Sequence, residues 1–297
     1  MTISAPLSSA LDDRDINARR RLFIVGAGSA AVFAVGMIPG ARLNAEPISL
    51  STAINRSGKL RALSQRTAKA YTQMALGILP ERAYEIIVAS QALIQRSIQE
   101  LQLLGGTPEL GRALAILDGE AKKLIVSTSK NAVRTDALDI SILSDQVLKE
   151  AEKTTHYYQT LAKSVQAKIV NVAGRQRMLS QRTAKYYMLI QAGYDSKVVR
   201  SEMAKSRSEF NAAMEMLINA PVSTPSIRSE LELAKQQWSV FQGALDLPPN
   251  PTMVRNVATT SERVLEVMDG LTNQYDTALK DILGATDEGK KFLALSS

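Results

Sequence analysis

From residue 50 onward, apolar positions recur at intervals of three and four rather than two. Ile86, Ala89 and Leu93 with Ile94, then Leu101 and Leu104, fall on one face of a 3.6-residue helix. No stretch alternates as a strand does, and no Asn-Gly hairpin signal occurs. The breakers predict eight helices. Residues 50–79 stop at Pro80, 81–104 stop at Gly105-Gly106-Thr107-Pro108, 109–130 form the third, and the fourth starts near Asp136. The fifth runs to Ala192 before Gly193, then come 195–219, 226–242 and, after the loop LDLPPNP, 253–283. Short connections make neighbouring helices antiparallel, so the expected class is all-α, built of up-down-up-down four-helix bundles. Between 144 and 173 there is neither Pro nor Gly. The fourth helix is therefore expected to run into the fifth through Tyr157, Leu161, Val165 and Ile169, stacking two bundles end to end as a rod.

Comparison of the chain with itself explains the number eight. Residues 54–71 read INRSGKLRALSQRTAKAY and residues 170–187 read VNVAGRQRMLSQRTAKYY, identical at eleven of eighteen positions at an offset of 116. Residues 144–163 and 261–280 align again, at an offset of 117. The repeat sets the expected domains as a first bundle at 46–163, a second at 164–284 and a short tail at 285–297.

The first 45 residues differ in kind. A polar stretch leads to Arg19-Arg20-Arg21, then to an apolar run from Leu22 to Ile38 loosened by three glycines, then to Pro39-Gly40 and Ala45. This is the layout of an export signal, and Arg20-Arg21 followed by Phe23-Ile24 resembles the twin-arginine type. Seventeen residues are short for a span of about 20, so a cleaved signal is favoured over a retained N-terminal anchor. Either way the expected location is periplasmic. The whole chain carries 36 basic and 29 acidic residues, a net +7. The charge is spread rather than striped, which argues against nucleic acid. Cysteine is missing and His156 is the single histidine, which excludes thiolate chemistry and leaves no catalytic triad or metal cluster in view. No P-loop, dinucleotide fingerprint or HExxH occurs. The expectation is a protein that is not an enzyme and carries no cofactor.

The repeated segment reads N-x-x-(S/A)-G-x-x-R-x-L-S-Q-R-x-A-K. It resembles the ligand-recognition box of NarX-type nitrate/nitrite sensors, and more closely the N-terminal domain of PilJ-like chemotaxis transducers. Gly174 to Arg182 fits the G-R-Q-R-M-L-S-Q-R pattern at each position, whereas the first copy departs at Lys59, Leu60 and Ala62. The resemblance implies a four-helix sensor bundle in which an arginine of the first helix meets its dimer mate around one nitrate. Carried over, it implicates Arg61 and Arg177, with Gly58 and Gly174 beside them. The family's transmitter parts are not in this sequence, so the resemblance implies a binding or sensory protein acting through a membrane sensor or transporter.

Side-chain chemistry supports the same residues. Ser57, Gly58, Ser64 and Ala68 flank Arg61 on the helical wheel, and Ala173, Gly174, Ser180 and Ala184 flank Arg177. Small neighbours let another helix approach, and a planar guanidinium matches a planar oxyanion. The competing reading gives each arginine a carboxylate on a neighbouring helix, making the chain a ligand-free helical interaction module. Arg66 and Arg182 lie about 140° round the wheel and are expected in interhelical salt bridges or solvent, Lys69 and Lys185 in solvent. Asn55 and Asn171 are expected to be structural, and Gln65 and Gln181 to be donors behind the arginines. Trp238, Met214 and Met216 are expected in the core. In the rod geometry Arg61 and Arg177 stand about 30 Å apart at 1.5 Å per residue, so an anion site would need a homodimer, with the second box the stronger binder of nitrate or nitrite.

Overall fold

Prolines begin helices here rather than merely ending the preceding ones. In the computed structural model, which describes residues 49–104 and 106–284, helices open at Pro80, Pro108, Pro225 and Pro251. The first helical position needs no amide donor, and proline's fixed φ already suits it. The elements are α1 (Leu50–Ala75), α2 (Pro80–Leu103), α3 (Pro108–Thr128), α4 (Ala137–Ala162), α5 (Val165–Gln191), α6 (Lys197–Ile218), α7 (Pro225–Asp246) and α8 (Pro251–Gly284). A 3-10 turn, Arg134–Asp136, leads into α4. Ser49, Thr107, Ser196 and Thr224 cap their helices by accepting the amide three residues on, which satisfies an otherwise orphaned donor. The described residues contain helices and no strand, as the hydrophobic period predicted. Helix α7 passes through Gly243, where the sequence suggested a stop.

The described residues fall within one compact unit. Helices α1–α4 come from the first repeat and α5–α8 from the second. The expected rod is not what they build. α4 ends at Ala162 and α5 starts at Val165, because Lys163 adopts the left-handed conformation at φ 44°. A non-glycine residue there costs about 1–2 kcal/mol. That cost is offset by folding α5 back beside α1, so that α1 packs against α2, α4, α5 and α8, and α5 against α1, α6 and α8. The two box helices are therefore neighbours at the centre of the molecule, not ends of a rod.

Both central helices are buried almost all round, and much of what they bury is polar. On α1 these include Ser57, Arg61, Ser64, Gln65, Thr67, Lys69 and Thr72, and on α5 Gln176, Arg177, Ser180, Gln181, Thr183 and Lys185. One apolar core surrounds them and runs through both repeats, including Leu60, Tyr71, Ile94, Phe210, Trp238 and Tyr275. Trp238 stacks on Phe210 with ring centroids 3.7 Å apart, and its indole N–H donates to Asn211. Met214 is core, whereas Met216 is exposed on the far face of α6. His156 is exposed. The export signal at 1–45 and the tail at 285–297 lie outside the described residues. Among the described residues, no helix is long and apolar enough to cross a membrane.

Candidate functional site

The central α1–α5 seam brings the two predicted arginines together within one chain. A β-carbon on Gly58 would stand 2.9 Å from Arg61 Nη2 and 3.8 Å from Arg177 Nη2. One on Gly174 would stand 3.1 Å from Arg177 Nη2 and 3.6 Å from Arg61 Nη2. Both arginines are fully buried, so neither can face its counterpart in a second chain, and the expected 30 Å separation is replaced by direct proximity. The glycines leave room for this approach, since a methyl group on either would press on the guanidinium ends.

Each arginine is held the same way. Arg61 donates through Nη1 to Glu152 at 2.6 Å and through Nε to the Gly58 carbonyl. Arg177 donates through Nη1 to Asp269 at 2.6 Å and through Nε to the Gly174 carbonyl. Each Nη2 crosses to the other repeat: Arg61 to the Asn171 carbonyl at 3.4 Å, Arg177 to the carbonyl and side-chain oxygen of Asn55 at 3.2 and 3.0 Å. The asparagines are anchored across the seam in turn, Asn55 on Asn273 and Asp276, Asn171 on Gln159. Each arginine thus carries a carboxylate from a neighbouring helix, the arrangement that the competing sequence reading assigned to it.

Each carboxylate has a second cation, and again the pairing is crosswise. Glu152 of the first repeat also accepts from Arg175 of the second at 2.9 Å, and Asp269 of the second from Lys59 of the first at 2.9 Å. Arg175 further reaches Glu209. Four cations (Lys59, Arg61, Arg175, Arg177) therefore share Glu152, Asp269 and Glu209, and Asp276 adds a further negative charge near Arg177. Burial pushes both arginine pKa values down, against the pull of Glu152 and Asp269. Burial alone would raise the two carboxyls, but Arg61 with Arg175, and Arg177 with Lys59, outweigh it and hold them low.

Further along the same two helices, Lys69 and Lys185 are fully buried, contrary to the expectation of solvent. Lys69 pairs with Glu262 and Ser261 of the second repeat, and Lys185 with Asp145 at 2.8 Å and Ser144 of the first. Burial lowers both ammonium pKa values, that of Lys185 to about 8. Burial would raise the Glu262 carboxyl, yet Lys69 and Arg66 bring it down to about 2. Arg66 and Arg182 form the expected interhelical bridges, to Glu262 and Glu202. Gln65 and Gln181 tie each box to the fourth helix of its own repeat, donating to the carbonyls of Ser144 and Ser261. They stand behind other groups rather than behind the arginines.

The residues that sequence reasoning passed over are Glu152 and Asp269. A signal for them existed: they occupy equivalent positions in the aligned segments 144–163 and 261–280, where an acid is kept while neighbours change. Among the described residues, no group of three His, Asp or Glu side chains is placed to hold a metal ion.

Residues 158–266 match the family model of the type IV pili methyl-accepting chemotaxis transducer N-terminal domain, PilJ. Over that span the chain is PilJ-like. The PilJ-like segment starts near the end of α4, takes in Gly174 and Arg177 on α5, and ends on α8 three residues before Asp269. It relates the chain to sensory, signal-transducing modules. Comparison with curated proteins and with solved structures gives no match.

Proposed function

We propose that this chain is a periplasmic sensory protein that reads a small planar oxyanion, nitrate or nitrite first, at the Arg61–Arg177 pair. The observation that carries this reading is the convergence of two buried Nη2 groups from two repeats over Gly58 and Gly174. Arg61 Nη2 is loosely held, by a 3.4 Å contact to the Asn171 carbonyl, whereas Arg177 Nη2 would exchange its bonds to Asn55 for the anion. An anion accepting from both would be bridged by the two guanidinium groups. Glu152 and Asp269 keep Arg175 and Lys59 when their buried arginine turns to the ligand, so neither carboxylate is left bare. Because these carboxylates sit on α4 and α8, ligand exchange would loosen the fourth helix of each repeat from the centre, a movement that a membrane sensor or transporter could read. The site is complete within one chain and needs no homodimer. In this reading the protein binds and does not catalyse.

The carboxylate pairing also favours a second reading, a helical interaction module that needs no ligand. A thermal-shift panel of nitrate, nitrite, chlorate, sulfate and chloride separates the two. Selective stabilisation by a planar monoanion supports the sensor, since a native-state ligand raises the midpoint by mass action. Equal, weak responses to all five support the interaction module.

A further inference from the structure

The two repeats differ where their second helices face the box. In the second repeat, α6 presents Glu202 to Arg182 and Glu209 to Arg175. At the offset of 116 the first repeat has Ile86 and Leu93 on α2. Deprived of those carboxylates, Arg66 turns to Glu262 and Lys59 to Asp269, both on α8. Between α1, α2 and α8 this leaves an open cleft of about 390 Å³, within the size range of small-molecule sites.

Most charges around the cleft are already paired, but two are not fixed within it. On the α2 wall, Arg82 is held only by Glu85, in a solvent-exposed pair one turn away. On the α8 wall, Glu266 has no ion pair among the described residues. Between these opposite charges, Leu93 and Leu265 supply apolar walls, with Ala62 and Leu63 behind them. We infer that this cleft is a binding site for a small zwitterion of the α-amino-acid class. Its carboxylate sits on Arg82, its ammonium on Glu266 and its side chain against Leu93 and Leu265. A dianion would meet Glu266, a plain cation would meet Arg82 and Lys59, and an inorganic anion would leave the leucines unused. The two sites adjoin, since Arg177 and Asp269 also line the cleft, but the inference does not depend on the oxyanion reading because its charges are Arg82 and Glu266.

The test is a thermal-shift and calorimetric survey of the full chain with the proteinogenic L-amino acids. Isocaproate and isoamylamine serve as single-charge counterparts of leucine. At least one amino acid with a medium apolar side chain should raise the midpoint by about 5 °C at a hundredfold excess over Kd, with the single-charge probes much weaker. Glu266→Gln and Arg82→Gln should each weaken binding by about tenfold or more, and both are surface changes that leave folding intact. Leu93→Glu recreates the Arg175–Glu209 arrangement on Lys59 and should close the cleft to every amino acid. Nitrate binding in Glu266→Gln should stay as in the parent, which keeps the two sites distinguishable. No response to any amino acid, or binding that survives both Glu266→Gln and Arg82→Gln, would overturn the assignment.

Discussion

Arg61 and Arg177 lie 116 positions apart in the chain, yet their Nη2 atoms share the space above Gly58 and Gly174. Their supports correspond one for one: Glu152 with Asp269, Arg175 with Lys59, Asn171 with Asn55. The chain thus holds internally an arrangement that two separate chains would otherwise have to assemble.

The glycines give the sharpest stability contrast. Gly119 and Gly243 sit within helices, and a methyl group added to either would have nothing within 4 Å. Replacing either by alanine should stabilise the protein by about 0.5–1 kcal/mol, the ordinary helical preference. Gly58→Ala should lose stability instead, because its methyl would meet Arg61 Nη2 at 2.9 Å, and Gly174→Ala should lie between. Chemical denaturation of the four variants checks the order.

The crosswise lysines should couple the repeats energetically. Lys185 is fully buried while the side chain of Asp145 is 35% exposed. Asp145→Asn leaves an ammonium without its partner in the core and should cost about 3 kcal/mol. Lys185→Met leaves a carboxylate that water can reach and should cost less. The double variant should recover about 1–3 kcal/mol relative to the sum. Additive losses in urea midpoints would mean that the pair contributes nothing.

Stability should respond to pH in opposite senses through Glu262 and Lys185. Glu262 has its carboxyl lowered from 4.5 to about 2. Its contribution is therefore present above about pH 4.5 and lost as pH falls toward 2, up to about 3 kcal/mol. Lys185, lowered from 10.5 to about 8, releases its proton earlier when folded, so its burial weighs less as pH climbs from 8 to 10.5 and stability rises there. Midpoints measured across pH should show a flatter acid limb in Glu262→Gln and no alkaline rise in Lys185→Met.

The helices and the boxes were legible in the sequence because periodicity, proline and glycine punctuation and self-identity are local signals. The relation between the boxes was not. Lys163 reverses the chain without a glycine or proline to announce it, and the gain that offsets its left-handed backbone is the packing of α5 on α1, far away in sequence. A chain continued straight places Arg61 and Arg177 far apart. Lys69 and Lys185 were misplaced for a related reason: a lysine on a polar-looking helix reads as solvated, and only the returning fourth helix of the other repeat supplies the partner carboxylate. The same blindness hid Glu152 and Asp269, whose alignment was visible but whose partners were not.

The corrected geometry also changes what arginine replacement should do. Glu152 and Asp269 are partly exposed and keep Arg175 and Lys59, so the cost of Arg61→Ala and Arg177→Ala is that of emptying a large buried site, about 2–5 kcal/mol. Arg61→Lys and Arg177→Lys keep the charge and are the better probes, since lysine lacks the planar fork. Thermal midpoints of the four single variants should rank each lysine above its alanine.

Isothermal titration of nitrate into the full-length protein tests the central claim most directly. One anion shared by Arg61 and Arg177 predicts one nitrate per chain, with binding lost to a similar degree in Arg61→Lys and in Arg177→Lys. One nitrate per two chains, or binding that persists in the Arg61→Lys/Arg177→Lys double variant, would contradict a site built from this pair.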